Sequence, residues 1–219
     1  MNFHDYQNQW ATIHGTTHPK GLVRVWLRFS YSCATPFLRL NPNTITLLAP
    51  VIMAVAIYSA TPAVGNYFLA SALIFSVGLV DSLDGIVAVR AGKTSSWGAF
   101  LDGVVDRFID IGIGILLIVL GASVEVAIIA ISLALVHEYM RARAGGLGFH
   151  NAGVITLAEK PTRIAIGTMF LLACGVLPEM ANDLANVAAT VWLALGLISF
   201  AQLMFNYRRT LKQNFLGKQ

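Results

Sequence analysis

The sequence predicts an all-α integral membrane protein with six transmembrane helices preceded by an amphipathic interfacial helix. Of its 219 residues, 56% are hydrophobic and only 12% are charged, and the mean hydropathy is +0.68. Soluble domains usually carry about a quarter charged residues. Because a bilayer-spanning helix needs about 20 apolar residues, a chain of this length accommodates about six spans with short connections.

Six apolar runs, separated by charged or glycine- and proline-rich interruptions, predict the spans. They cover residues 43–60, 66–89, 98–121, 124–143, 161–176 and 185–207. The predicted organisation is therefore an N-terminal cytoplasmic or interfacial segment (1–42), a six-helix transmembrane domain (43–208) and a cytoplasmic tail (209–219). Residues 20–38 alternate bases with bulky apolar side chains, a pattern typical of a helix lying in the headgroup region. An ordinary helix packed on the spans is the alternative.

The basic residues predict the orientation of the chain in the membrane. Outside the N-terminal segment only Arg107 lies inside a span. The others lie at alternate connections and in the tail: Arg90, Lys93, Arg141, Arg143, Lys160, Arg163, Arg208, Arg209, Lys212 and Lys218. The opposite connections, 61–65, 122–123 and 177–184, contain no Lys or Arg. The positive-inside rule makes the basic side cytoplasmic. We expect a multi-pass protein of the cytoplasmic membrane with both termini inside, and no nucleic-acid partner.

Five aspartates lie at the end of the second span and the start of the third: Asp81, Asp84, Asp102, Asp106 and Asp110. Ionised carboxylates are costly in a membrane unless they are paired, hydrated or bound to a cation. Spacings of three and four residues put each set on one helix face, and the two helices meet at the cytoplasmic side. The first four aspartates can therefore converge. Carboxylates without His or Cys favour Mg²⁺, Mn²⁺ or Ca²⁺.

Small residues accompany these aspartates. Gly85 and Ala88 follow Asp84, and Gly98 precedes Asp102 by one turn. They leave space for a ligand against the backbone, although close helix packing also uses small residues. Asp110 is expected to orient Arg107 or to complete a hydrogen-bond network.

The segment Asp81-Ser-Leu-Asp84-Gly85-Ile-Val-Ala88, followed by Gly98-Ala-Phe-Leu-Asp102-Gly-Val-Val-Asp106, resembles the signature of the CDP-alcohol phosphotransferase family, D-x2-D-G-x2-A-R-x8-G-x3-D-x3-D. The exception is the arginine of the signature, which falls on Val89, with Arg90 next to it. Members of this family displace CMP from a CDP-linked lipid, or from another CDP-alcohol, by attack of an alcohol hydroxyl.

The resemblance implies two divalent ions, Mg²⁺ or Mn²⁺, and a homodimer. It assigns metal binding to Asp81, Asp84, Asp102 and Asp106, and makes Asp106 the general base on the acceptor hydroxyl. It assigns binding of CDP-diacylglycerol or a similar lipid to Asp81, Gly85, Ala88, Arg90, Gly98 and Asp102.

A second basic cluster bears on the acceptor alcohol. Tyr139-Met-Arg141-Ala-Arg143-Ala and Glu159-Lys160-Pro161-Thr-Arg163 resemble segments of the phosphatidylinositol-phosphate synthase branch, whose acceptor is a phosphorylated inositol. We expect Arg143, Arg163, Arg141 and Lys160 to bind the acceptor phosphate, since guanidinium groups clamp phosphate well. Glycerol 3-phosphate, the acceptor of a phosphatidylglycerophosphate synthase, would need similar bases and is the alternative.

A cation- or proton-coupled transporter is the rival class of function, because transporters also use carboxylates inside the membrane. A transporter would be expected to have repeated halves. The acidic cluster here has no counterpart in the fourth to sixth spans, which favours the enzyme.

Overall fold

The computed structural model describes residues 1–13, 19–148 and 156–216, without the side chains of Ile13 and of residues 212–216. Within these ranges the chain is helical and contains no strand. The helices are α1 (Phe3–Ile13), α2 (Gly21–Cys33), α3 (Pro42–Ala60), α4 (Tyr67–Arg90), α5 (Ser96–Val119), α6 (Val124–Gly146), α7 (Lys160–Val176) and α8 (Ala181–Leu216). The all-α prediction is confirmed. Of the predicted tail cations, Lys218 lies outside the described residues, and so does the side chain of Lys212.

Each predicted apolar run coincides with one of the helices α3 to α8. By length and composition, three helical segments of the described chain are able to cross a membrane: Pro42–Ala60, Tyr67–Arg90 and Pro178–Leu211. Of the others, α5 and α6 each carry four charged side chains within 24 and 23 residues, and α7 has only 17 residues. The six-span count therefore stays a prediction. Helix α1 was not predicted from the sequence, and α8 continues past the predicted end of the transmembrane domain.

Local sequence explains where four of the helices begin. Side-chain oxygens of Asn41, Asn66, Ser95 and Ser123 each accept a hydrogen bond from a backbone N–H in the first turn of α3, α4, α5 and α6. These caps satisfy N–H groups that have no partner within a helix.

Small residues bring the helices close together. Helix α4 packs between α3 and α7, while α3 also contacts α5 and α6 packs on α8. A Cβ added at Gly112 would lie 2.5 Å from Met53 Cγ, and one added at Gly78 would lie 3.0 Å from Ile164 Cγ2. Such contacts between backbone and side chain are how helices associate in membranes, where the solvent is as apolar as the core.

The order of the helices places several polar segments at one end of the bundle. Successive helices run in opposite directions, so the starts of α3, α5 and α7 lie beside the ends of α4 and α6. Helix α2 lies against α4 at this end, where Trp26 Nε1 donates to Ser82 Oγ at 3.0 Å. On its outward side, Leu22 is 87% exposed and Val25 is 65% exposed.

Candidate active site

Three carboxylates from two helices form the centre of the candidate site. One oxygen each from Asp81 on α4 and from Asp102 and Asp106 on α5 lie within 4.8 Å of one another. Spacings along each helix place these side chains on facing surfaces, and the short connection between α4 and α5 places them at the same depth. Three carboxylates this close repel one another unless a cation lies among them.

Asp84 is not among the three carboxylates that lie within 4.8 Å of one another, and it has hydrogen-bond partners of its own. It is only 6% exposed. Thr46 Oγ1 donates to Asp84 Oδ2 at 2.6 Å, and the Gly85 N–H donates to Oδ1 at 2.6 Å. Thr46 was not predicted from the sequence; its hydroxyl lies one turn inside α3, at the same end of the bundle. The role of Asp84 as a metal ligand stays a prediction.

Lys160, the first residue of α7, reaches into the carboxylate cluster. Its Nζ donates to Asp81 Oδ1 and to Asp106 Oδ1. The sequence assigned Lys160 to the acceptor phosphate, whereas the structure places its ammonium between two predicted metal ligands. This cation therefore stands where the carboxylates meet the basic cluster.

Arg163, one turn into α7, is 1% exposed and lies beside Asp110, which is fully buried. Arg163 Nε is 2.8 Å from Asp110 Oδ1, an ion pair whose N–H is not aligned as a hydrogen bond. Arg163 Nη1 donates to the Ala158 carbonyl at 2.8 Å. Its Nη2 is buried and has no hydrogen-bond partner among the described residues. An unsatisfied buried donor costs about 1–3 kcal/mol, so this atom is suited to an additional acceptor.

A polar network joins the end of α6 to the segment before α7. Arg141 Nη2 donates to Glu159 Oε1, which also accepts from the Thr156 N–H and Oγ1, both at 2.8 Å. His137, which is buried, lies 2.9 Å from Thr156 Oγ1 through its Nε2. Arg143 is exposed and forms no ion pair or hydrogen bond with the part of the chain described here. It is therefore available to bind an anion.

Among the residues predicted to bind the nucleotide, Gly85 and Gly98 differ in the space beside their Cα atoms. A Cβ added at Gly85 would meet nothing within 4 Å, whereas one at Gly98 would lie 3.1 Å from Ser95 Oγ and 3.2 Å from Asn43 Oδ1. The space at Gly85 is open, while Gly98 also allows close packing. A cavity of about 350 Å³ lies beside Ser95 and Asn43, the two residues that Gly98 packs against. Its lining residues are Arg39, Asn41, Pro42, Asn43, Lys93 and Ser95.

Arg90 makes its contacts with the N-terminal part of the chain. Its Nη1 donates to the Tyr31 carbonyl at 2.9 Å, and its guanidinium carbon lies 3.9 Å from the centroid of the Tyr31 ring. These contacts anchor the end of α2 on α4. Val89, at the position of the family arginine, packs against a hydrophobic cluster. A role for Arg90 in nucleotide binding stays a prediction.

The arrangement has two chemical capacities. Clustered carboxylate oxygens from Asp81, Asp102 and Asp106 suit a hard divalent cation. The cations at the end of α6 and the start of α7 suit a phosphorylated ligand beside it. Both lie at the same end of the bundle.

Comparison with known proteins agrees with this geometry. Two curated relatives are an archaetidylinositol phosphate synthase of Methanothermobacter thermautotrophicus, 34% identical over 70% of this chain and 77% of the relative, and a phosphatidylinositol phosphate synthase of Cutibacterium acnes, 29% identical over 84% of this chain and 94% of the relative. The crystal structure of Mycobacterium tuberculosis phosphatidylinositol phosphate synthase with CDP-DAG bound shares the fold, with a TM-score of 0.61 and 24% identity over 82% of this chain and 93% of that chain.

A family model, CDP-alcohol phosphatidyltransferase, matches residues 39–199, which include the aspartates and the basic residues of the candidate site. With that match and the relatives' identity, the chain belongs to the CDP-alcohol phosphatidyltransferase family and is an enzyme of that class.

Proposed function

We propose that this chain transfers a phosphatidyl or related phospholipid group from a CDP-linked lipid to a phosphorylated inositol, releasing CMP. The observation that carries the proposal is the convergence of Asp81, Asp102 and Asp106 beside the basic residues of α6 and α7. Family membership favours a transferase over the transporter alternative.

Divalent cations fit the carboxylate cluster. The three oxygens lie within 4.8 Å, and the donor set contains only carboxylates, which Mg²⁺ and Mn²⁺ prefer. Asp81, Asp102 and Asp106 would hold the metal, with Asp84 as the further predicted ligand. When bound, the metal supplies positive charge that neutralises the pyrophosphate. A solved structure of the M. tuberculosis synthase, 23% identical to this chain, is in complex with manganese and citrate.

In the proposed reaction, the hydroxyl oxygen of the acceptor forms a bond to the phosphorus that carries the lipid. The bond from this phosphorus to the oxygen shared with CMP breaks, and CMP leaves with that oxygen. Asp106 takes the hydroxyl proton. A general base must lie within hydrogen-bond reach of the proton that it removes, and Asp106 is 19% exposed and contacts Lys160 at the start of α7.

The acceptor phosphate is assigned to Arg143, Arg163, Arg141 and Lys160. The assignment of Arg143 is supported because this residue is exposed and has no partner among the described residues. The assignment of Arg163 is supported by its buried Nη2 atom, which has no described hydrogen-bond partner. Arg141 and Lys160 are already paired with carboxylates, so they would exchange or share those partners. Both curated relatives described above are named for inositol phosphate products, which supports that acceptor over glycerol 3-phosphate.

The CDP-lipid is assigned to the face of α4 and α5 that carries Gly85, Ala88 and Gly98, with Asp81 and Asp102 nearby. The open space beside Gly85 supports this placement. The two relatives differ in name by the lipid, phosphatidyl in one and archaetidyl in the other, so either class of CDP-lipid is a candidate donor.

The membrane arrangement is part of the proposal. Six spans, an interfacial α2 and a cytoplasmic site follow from the apolar runs and from the distribution of Lys and Arg. The exposed apolar side chains of α2 support its position at the interface. The family resemblance implies a homodimer.

We expect purified protein with CDP-diacylglycerol and Mg²⁺ or Mn²⁺ to release CMP when inositol phosphate is added. Inositol without phosphate should give much slower release, because it lacks the group that the basic residues bind. The measurement is CMP release over a panel of inositol phosphate, inositol, glycerol 3-phosphate and serine. Preference for glycerol 3-phosphate would replace the proposed acceptor, and no CMP from any alcohol would refute the transferase.

Replacing Arg143 with Ala is expected to raise the KM for inositol phosphate about 10- to 100-fold, the loss that corresponds to a charge-assisted hydrogen bond of about 1.5–3 kcal/mol. The KM for the CDP-lipid should stay within about twofold, because the residue does not face that substrate. Arg209→Ala, an exposed change on α8, serves as the matched control. Equal increases in both KM values would count against an acceptor pocket at Arg143.

A further inference from the structure

Arg107 follows Asp106 on α5 and contacts three carboxylates. Its Nη2 lies 3.7 Å from Asp106 Oδ2 and 3.4 Å from Asp110 Oδ2, and its Nη1 lies 3.5 Å from Glu138 Oε2 on α6. A guanidinium remains charged under all ordinary conditions and presents donors in a fixed plane. These ion pairs place the guanidinium among the three carboxylates.

The partners of Arg107 are themselves held in place. Asp110 is fully buried and pairs with Arg163 of α7, and Arg163 is bonded to the Ala158 carbonyl. Helices α5, α6 and α7 thus all contribute to the position of Arg107. Networks of this kind, with low exposure, hold one arrangement more firmly than a single surface ion pair does.

The two oxygens of Asp106 face different cations. Oδ2 lies toward Arg107, whereas Oδ1 accepts from Lys160, which also contacts Asp81. The Oδ1 edge is therefore the one turned toward the carboxylate cluster. When one oxygen of a carboxylate is held in place, the direction in which the other oxygen points is also fixed.

We propose that Arg107 is a positioning residue for the general base: it holds Asp106 Oδ2, so that Oδ1 is presented to the metal ligands and to the acceptor hydroxyl. Asp110 and Glu138 keep the guanidinium in place. This inference rests on the proposed function, because it needs Asp106 to act as the base.

Loss of Arg107 leaves Asp106 chemically intact but free to rotate. A misplacement of about 1 Å in a catalytic group costs about 100-fold in rate, so Arg107→Ala is expected to lower kcat about 10- to 100-fold. The KM values for both substrates should change little. Arg107→Lys should recover part of the loss, because an ammonium restores the charge but cannot reach three carboxylates in one plane.

The experiment uses the purified full-length chain with CDP-diacylglycerol, inositol phosphate and Mn²⁺, and measures kcat and both KM values separately. Mn²⁺ affinity is determined by electron paramagnetic resonance of the free ion, and folding by thermal unfolding. Guanidinium chloride at low, non-denaturing concentration is added to Arg107→Ala to test for chemical rescue. Arg209→Ala is the matched control for the loss of an arginine.

A drop in kcat that persists at saturating Mn²⁺, and that guanidinium or lysine partly reverses, supports the inference. Wild-type kcat in Arg107→Ala overturns it, and so does a loss that resides entirely in Mn²⁺ affinity or in KM. If Arg107→Ala does not fold, Glu138→Gln removes one anchor and leaves the arginine. This variant should lower kcat about threefold, an intermediate loss for a weakened rather than lost alignment, and an unchanged kcat overturns the inference.

Failure of this inference differs from failure of the proposed function. If wild-type protein releases no CMP with any acceptor, the proposed function fails. If wild type is active, Asp106→Asn is inactive and Arg107→Ala retains full kcat, only the positioning role is wrong.

Discussion

Asp106→Asn is expected to lower CMP release about a thousandfold, within the range of about 10²- to 10⁴-fold that general acid–base catalysis contributes. Asparagine keeps the size and polarity of the side chain but cannot take the hydroxyl proton. The measurement is the single-turnover rate with saturating CDP-lipid and inositol phosphate. Affinity for the CDP-lipid should be largely retained, because Asp106 is not among the residues assigned to that substrate.

Two measurements distinguish a role of Asp106 as the general base from a role as a metal ligand alone. Mn²⁺ titration of Asp106→Asn reports how much of the loss arises from weaker metal binding, which saturating Mn²⁺ would correct. Asp183→Asn, the same change at an exposed residue in the first turn of α8, controls for the substitution itself. Near-normal turnover of Asp106→Asn would make the assignment of the base wrong.

Removal of divalent cations is expected to abolish turnover, and Mg²⁺ or Mn²⁺ should restore it. The physical reason is the proximity of the Asp81, Asp102 and Asp106 oxygens, within 4.8 Å, which bound cations would stabilise. Treatment with EDTA, followed by titration with each metal, measures this dependence through CMP release. Zn²⁺ should substitute poorly, because the site offers neither His nor Cys.

A variant identifies the metal site. Asp102→Asn removes one carboxylate without touching the predicted base, and should raise the half-saturating Mn²⁺ concentration at least about tenfold, the smallest loss typical even of residues that only support ligands. Asp183→Asn should leave it unchanged. Turnover that persists in excess chelator would contradict a metal centre.

Much of the helical fold was predictable because its determinants are local. Apolar runs, Asn and Ser caps and interrupting charges lie within a few residues of the features that they specify, and the six runs correspond to α3 to α8. Helix α1 was missed because residues 3–13 are polar overall and carry no apolar run.

The contacts of the site were less predictable, since they join residues far apart in the chain. Thr46 and Asp84 are 38 positions apart, and Lys160 and Asp81 are 79 apart. Periodicity gives the face of a helix on which a residue lies, but not which neighbouring helix covers that face. The position of Lys160 among the carboxylates therefore depends on how α7 packs against α4 and α5.

The sequence by itself determined the helical class, the end of the bundle that carries the carboxylates, and the family signature. These properties depend on the composition of single segments and on the spacing of residues within them. Only the tertiary structure brought Thr46 against Asp84 and placed Lys160 between Asp81 and Asp106. It also buried Arg163 against Asp110. These outcomes depend on the close approach of different helices, which the small residues permit and which no periodicity along one segment encodes.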